Sequence, residues 1–138
     1  MGWTSRKVLI TSRGKADVLG KKITKEIIAF TNNHTFTSLN PPLYMISLPT
    51  QKLATKMIEE NKVFVVNFFG KEDDLHNCEQ YDTRFQDQFK MLNWEKEEAR
   101  TIECCRIKNA QEYIECEVVD MIKAGDSTTF IGKITSRM

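Results

Sequence analysis

The chain has 138 residues, of which 41% are hydrophobic and 28% are charged, an ordinary balance for one globular domain with a core of its own. The formal net charge is +1, from 20 basic and 19 acidic residues, so we expect no broad basic surface for nucleic acid or for an anionic membrane. No apolar run is long enough to span a bilayer, and the start, MGWTSRKVLI, lacks the apolar stretch of a secretory signal, so we expect a cytoplasmic protein.

Six or seven short runs of β-branched and aromatic residues, each bounded by turn residues, predict strands along the whole chain. These runs are residues 7–12, 23–30, 43–48, 63–69, 101–107, 113–122 and 128–134. Residues 14–22 predict a turn or hairpin, Asn32-Asn33-His34 predicts a polar turn, and Ala124-Gly125-Asp126 predicts a tight turn between the last two strands. Strands in this number argue for a small β-barrel.

Two helices are predicted to decorate this barrel. The clearer one follows Pro49, with Thr50 as its N-cap and an end near Asn61. Its apolar stripe has helical spacing and consists of Leu53, Met57 and Ile58. A second helix is predicted within residues 75–92, from aromatic and apolar residues three or four positions apart, and residues 95–99 are expected to be a charged loop or frayed helix.

The cysteines and histidines do not form a metal-binding pattern. The four cysteines lack CxxC or zinc-finger spacing and are Cys78, Cys104, Cys105 and Cys116. We expect reduced, partly buried thiols, and we expect Cys104 and Cys105 not to pair, because neighbours on a strand point to opposite faces. The only histidines, His34 and His76, have no recognised ligand spacing around them, so no metal site is predicted.

Four stretches match one known family in order and spacing. They are SLNPPLYMISL at 38–48, KLATKMIEENKVFVVN at 52–67, DTRFQDQF at 82–89 and YIECEVVDMIKAGDSTTFIGKI at 113–134. In these stretches the chain resembles the flavin reductase-like family of flavoredoxin type. The resemblance implies a single split-barrel domain over residues 1–138, mainly β with flanking helices. It also implies a homodimer that holds FMN near the subunit interface and takes electrons from NAD(P)H or a small redox protein.

The resemblance and the chemistry of a flavin together select the candidate cofactor-binding residues. A phosphate is suited to a helix N-terminus with nearby cations, and the polar edge of the ring is suited to a turn with exposed amides. The candidates are Thr31, Asn32, Asn33, His34, Thr35, Leu48, Pro49, Thr50, Lys52, Thr55 and Arg84. The alternatives are an ordinary solvated helix start and a polar turn whose asparagines bond their own backbone. No catalytic acid or base is expected, because the chemistry belongs to the flavin.

At five positions where family members often touch FMN by side chain, this chain carries a different residue. These positions are Ile27, Asn33, Ala54, Gln88 and Ser127. Family members also run on after the strand of Gly132 into a segment that can help to close the flavin site. Two other functions therefore stay open: a dimeric binding module on the same scaffold that has lost or altered flavin binding, and an interaction protein unrelated to flavins.

Overall fold

The structure is a computed structural model that describes residues 8–70 and 87–138, and strands dominate this part of the chain. The strands are β1 (Val8–Val18), β2 (Lys21–Thr31), β3 (His34–Leu39), β4 (Pro42–Pro49), β5 (Val63–Phe68), β6 (Lys96–Glu98), β7 (Cys105–Ile107), β8 (Glu112–Ala124) and β9 (Ser127–Arg137). The helices are α1 (Leu53–Asn61) and α2 (Gln88–Leu92). The prediction of a mainly β fold with flanking helices is confirmed.

Seven of these strands form one antiparallel sheet in the order β2-β1-β5-β8-β9-β4-β3. Its two edge strands, β2 and β3, are consecutive in the chain and are separated only by Asn32 and Asn33, so the sheet has to curl back on itself. Across the seam, the Thr31 hydroxyl donates to the Ser47 carbonyl of β4 at 2.7 Å. A curled sheet whose first and last strands are β2 and β3 fits the expected split barrel.

The interior of the barrel is filled by every second residue of the strands, as the two-residue period of a strand requires. To the core cluster inside the barrel, β4 contributes Tyr44, Ile46 and Leu48, and β5 contributes Phe64, Val66 and Phe68. Helix α1 adds Ala54, Met57 and Ile58 to the same cluster. The apolar stripe predicted for this helix is therefore the face that packs on the sheet.

Gly132 of β9 lies where two core side chains leave no space. A Cβ at this position would lie 2.6 Å from the Cβ of Cys116 and 2.9 Å from Cζ of Phe64. Both neighbours are fully buried. The Phe-x-Gly pattern at residues 130–132 is thus explained by close packing between β8, β9 and β5.

A second layer, made of β6, β7 and α2, covers the outer face of β1, β2 and β5. Asn67 holds this layer: its Nδ2 donates to the Leu9 carbonyl at 3.0 Å, and its Oδ1 accepts from the Ile107 N–H at 2.9 Å. The Thr11 hydroxyl donates to the Cys105 carbonyl at 2.7 Å. The asparagine of the FVVN stretch therefore has a structural role in joining the two layers.

Several predicted boundaries were wrong. Residues 101–107 were expected to be a strand, but only Cys105–Ile107 is one, because the chain before it bends around the buried carboxylate of Glu115. That carboxylate accepts from the N–H groups of Arg100 and Thr101 and from the Thr101 hydroxyl. Residues 96–98, expected as loop or frayed helix, pair with β7 as strand β6.

The hairpin predictions were closer to the observed structure. The turn expected at residues 14–22 narrows to Leu19-Gly20, both with positive φ, because β1 and β2 pair along their full length. The turn predicted at 124–126 does join β8 to β9, with Gly125 at φ 60°. Strand β3 was not predicted. The second helix was predicted within residues 75–92. Residues 75–86 lie outside the described residues, and the rest of the range contains α2.

Candidate functional site

Two segments that are distant in sequence and carry most of the candidate residues lie side by side at one end of the sheet. The Ser47 N–H donates to the Asn33 carbonyl at 2.9 Å, which joins the turn after β2 to the end of β4. On its other side, β4 pairs with β9, with Pro49 opposite Ser127. The fold therefore brings together the turn 31–35, the loop 49–52 and the β8–β9 hairpin, while ligand binding there stays a prediction.

In the turn, both backbone polar groups of Asn33 form hydrogen bonds within the protein. Its N–H donates to the Thr31 hydroxyl at 3.1 Å, and its carbonyl accepts from Ser47. Thr31 is buried, whereas Asn32 and Asn33 are exposed. What this turn offers a ligand is therefore chiefly the side-chain amides of the two asparagines. Thr35 is half-buried and pairs with Met45 of β4.

His34 is not a surface residue of the turn. It is fully buried, its Nδ1 lies 2.7 Å from the Tyr44 hydroxyl, and its ring meets Phe68 edge-on at 6.0 Å between centroids. The reason is the alternation of β3, in which the first residue already points into the barrel. Its imidazole belongs to the core, so its side chain is not available to a ligand at the surface of the turn. His76 lies outside the described residues.

The helix that was predicted to start with Thr50 as N-cap starts later, and this prediction was wrong. Lys52 occupies the N-cap position with extended backbone, φ −68° and ψ 146°, and makes no side-chain capping bond. The Thr50 hydroxyl lies 2.9 Å from that of Thr128, and the Thr50 N–H donates to the Asp126 carbonyl at 2.8 Å. A tertiary contact with the β8–β9 hairpin has therefore replaced the local cap.

The start of α1 keeps the electrostatic character expected of an anion site. The first turn contains no acidic residue, and no side chain of its N-cap satisfies the N–H groups that a helix start leaves open. These groups and the helix dipole favour negative charge. Lys52 is half-buried at this end and Lys56 is exposed in the first turn.

The other candidates of this loop differ in what they can offer. Leu48 is buried in the core, and Pro49 is exposed. Thr55 is also buried, and its hydroxyl donates to the Pro49 carbonyl at 2.7 Å, so its hydroxyl proton is committed within the protein. Arg84 lies outside the described residues.

Three of the five departures from the family pattern are structural residues here. Ile27 and Ala54 are fully buried in the core cluster. Gln88 is buried at the start of α2: its Oε1 accepts from the Ile28 N–H at 2.7 Å, and its Nε2 donates to the Ile28 carbonyl at 2.9 Å. Gln88 therefore satisfies the hydrogen-bonding groups of the Ile28 backbone at the open edge of β2. Ser127, at the β8–β9 hairpin, is half-buried.

The hairpin residues Asp126 and Thr128, and Ser47 of β4, were not selected from the sequence although they hold both candidate segments. The Ser47 backbone bonds Thr31 and Asn33, and Asp126 and Thr128 bond Thr50. Isolated serine and threonine residues in strands give no local signal for this role. Only the register of β4 against β9 could have identified them.

The described residues give no support to a metal site or to a membrane-spanning helix. In residues 8–70 and 87–138, no three His, Cys, Asp or Glu side chains are grouped so as to hold a metal ion. No helix within these same ranges is long and apolar enough to cross a bilayer.

Three clefts open on the surface of the described residues. A cleft of about 530 Å³ lies beside Trp94, one of about 300 Å³ beside Arg13, and one of about 170 Å³ beside Lys56. None of these three clefts is lined by Thr50 or by a residue of the turn 31–35.

Comparison with protein families gives a match over nearly the whole chain. The family model described as "Flavin reductase like domain" matches residues 3–138. A curated protein of Rhizobium meliloti (strain 1021), described as "Probable flavin reductase", is 26% identical over 123 residues, which is 88% of this chain and 36% of that protein. The chain thus spans about a third of the length of this curated relative.

Solved structures with the same fold include a flavin reductase and an FMN-binding protein. The structure described as "Flavin reductase PheA2 in native state" is 25% identical, with a TM-score of 0.69 over 96% of this chain and 78% of that chain. An FMN-binding protein from Thermus thermophilus has a TM-score of 0.78 at 18% identity, over 97% of this chain and 70% of that chain. At 18% identity the second likeness establishes the fold alone.

Proposed function

Because the chain belongs to the flavin reductase like family, we propose that it binds a flavin non-covalently and acts as a flavin-dependent oxidoreductase domain. The observation that carries this proposal is the family match over residues 3–138. The curated relative described as a flavin reductase and the structure of the flavin reductase PheA2 support it. The proposed source of electrons is NAD(P)H or a small redox protein.

The proposed cofactor is FMN, because the donor set fits a ligand with a polar ring edge and a terminal phosphate. The exposed amides of Asn32 and Asn33 would bond the ring edge. The uncapped start of α1, with Thr50, Lys52 and the backbone N–H of Thr55, would hold the phosphate. When bound, the flavin supplies the hydride and electron transfer. The residues of this chain bind and orient it, and none is required as an acid or base.

We further propose that the functional unit is a homodimer that covers the outer face of the sheet. On this face, Met45 of β4 pairs with Ile131 of β9, and both are half-buried. Val119 is 57% and Ile122 is 50% exposed on neighbouring β8. A two-fold contact is the commonest way to bury such a face. A monomer in sedimentation at micromolar concentration would contradict this part of the proposal.

The central test is whether the purified chain holds a flavin and lets it be reduced. The protein is mixed with FMN, desalted, and its visible absorption compared with that of the protein before addition. We expect the flavin band to stay with the protein and to bleach under anaerobic NADH or NADPH. A colourless protein after desalting, together with no quenching of flavin fluorescence in a titration, would remove the proposal.

A charge reversal tests the phosphate part separately. Lys52→Glu at the start of α1 is expected to weaken FMN binding by about tenfold, because it places a negative charge beside the phosphate. The matched control is Lys21→Glu at the exposed start of β2, which changes the net charge equally and should leave binding unchanged. Equal losses in both variants would indicate a general charge effect instead of a phosphate site.

A further inference from the structure

Arg106 of β7 is a buried cation with too few oxygen acceptors around it. It is only 6% exposed, and its Nη2 donates to the Glu97 carboxylate at 2.6 Å. Its Nη1 lies 3.7 Å from the Glu115 carboxylate, which is beyond hydrogen-bond distance. In the part of the chain that the structure describes, Nε of Arg106 is the buried side-chain nitrogen or oxygen without a hydrogen-bond partner. A buried charge of this kind would be stabilised by a further oxygen acceptor.

The acceptor that Nη1 of Arg106 does have is a sulfur. It donates to Sδ of Met138, the residue after β9, at 3.1 Å, and Nη1 of Arg100 donates to the same sulfur at 3.3 Å. The backbone of Met138 is fixed by two bonds to Tyr113 of β8, at 2.9 and 3.0 Å. A thioether is a weak acceptor. Two cationic donors therefore converge on a group that makes poor use of them.

We propose that Met138 is a modification site, at which a peroxide converts the thioether to a sulfoxide that Arg100 and Arg106 then hold. The Met138 side chain is 51% exposed, so a small oxidant can reach it. The sulfur lone pair attacks one oxygen of hydrogen peroxide, and an S–O bond forms as the O–O bond breaks. The proton on the transferred oxygen passes to the departing hydroxide and gives water. The sulfur is oxidised by two electrons and the peroxide is reduced by the same two.

The product differs from the thioether in what it offers the two guanidinium groups. A sulfoxide oxygen is a strongly polar acceptor, and hydrogen bonds from charged donors are about twice as strong as neutral ones. Oxidation therefore ties the end of β9 more firmly to Arg106 of β7 and to Arg100. Methionine oxidation ordinarily disrupts a fold because it places a polar group among apolar ones. At Met138 the polar group meets cations instead, so oxidation stabilises the fold.

The test is peroxide treatment of the whole chain followed by urea unfolding. Sulfoxides are located by peptide mass spectrometry after the excess hydrogen peroxide is removed. We expect Met138 to be oxidised and the urea midpoint to rise by about 0.5 M, the size expected for one hydrogen bond from a charged donor. In Met138→Leu, which conserves the apolar volume, the rise should be absent. Met91→Leu is the matched control: Met91 is equally exposed, at 51%, and its removal should leave the rise intact.

A variant of one donor tests the role of the arginines. The Arg100 side chain is exposed, whereas its backbone N–H holds the buried Glu115, so Arg100→Gln leaves that bond in place. This variant should reduce the rise by about half, because one charged donor remains. It reports on the site even if Met138→Leu does not fold.

Three results would overturn this inference, and none of them involves flavin binding. The first is a Met138 that stays reduced under peroxide that fully oxidises Met91. The second is an oxidised Met138 with an unchanged or lowered midpoint. The third is an equal rise in Met138→Leu or an undiminished one in Arg100→Gln, which would assign the effect to another group. The proposed function stands or falls separately, by the flavin titration.

Discussion

Gln88 provides a quantitative test of whether a residue at a usual cofactor-contact position has become structural. Its side-chain amide makes two bonds to the backbone of Ile28, and both residues are fully buried. Gln88→Ala leaves the Ile28 N–H and carbonyl without this partner. An unsatisfied buried backbone group costs about 1–3 kcal/mol, so we expect a loss of about 2–4 kcal/mol in the free energy of unfolding. Since the total free energy of unfolding of a domain is about 5–15 kcal/mol, this loss is a large fraction of it.

The assay is urea unfolding followed by circular dichroism, in which the midpoint should fall while the m-value is retained. Gln51→Ala, at an exposed position in the loop before α1, is the matched control and should stay within about 0.5 kcal/mol of the wild type. If Gln88→Ala is as stable as the control, the amide does not hold α2 to β2, and our interpretation of this residue is wrong.

A carboxylate at the same position adds a pH signature. In Gln88→Glu the ionised side chain accepts from the Ile28 N–H but cannot donate to its carbonyl, and burial raises the pKa of the new carboxyl above its unfolded value. The protonated form restores the donor. The variant should therefore approach wild-type stability below the unfolded pKa of about 4.3 and lose stability as pH rises through its folded pKa. A deficit that does not depend on pH would refute this reasoning.

Two further predictions concern groups outside the candidate site. The hydrogen bond from Arg13 holds the pKa of Glu98 below its usual range. The stabilising effect of this ion pair is therefore present above the unfolded pKa of about 4.3 and is lost as pH falls through the folded pKa. The difference in urea midpoint between the wild type and Glu98→Gln should vanish in acid. Burial raises the pKa of the Cys116 thiol, and Cys104 and Cys105 are also fully buried. In a Cys78→Ser variant, none of these three thiols should react with a thiol reagent until the protein is unfolded. Fast labelling of the native variant would contradict the second prediction.

The candidate site was only partly accessible to prediction because its contacts are non-local. The exposed asparagines and the helix after Pro49 could be identified from local residue types. The N-cap was misassigned because the Thr50 hydroxyl bonds Thr128 instead of the helix start. The burial of His34 could not be foreseen either, because it depends on β3, a strand with a weak local signal, pairing with β4.

By itself, the sequence determined the class of the fold, most of its strands and the end of α1, because alternation of apolar residues and turn chemistry act within a few positions of the chain. The colinear motifs also determined the family. Only the tertiary structure decided which of the motif residues are structural, such as Asn67, Gly132 and Gln88, and which lie beside the candidate site. The physical reason is that a buried hydrogen bond or a close packing contact is a property of strand register, and register joins residues that local sequence does not relate.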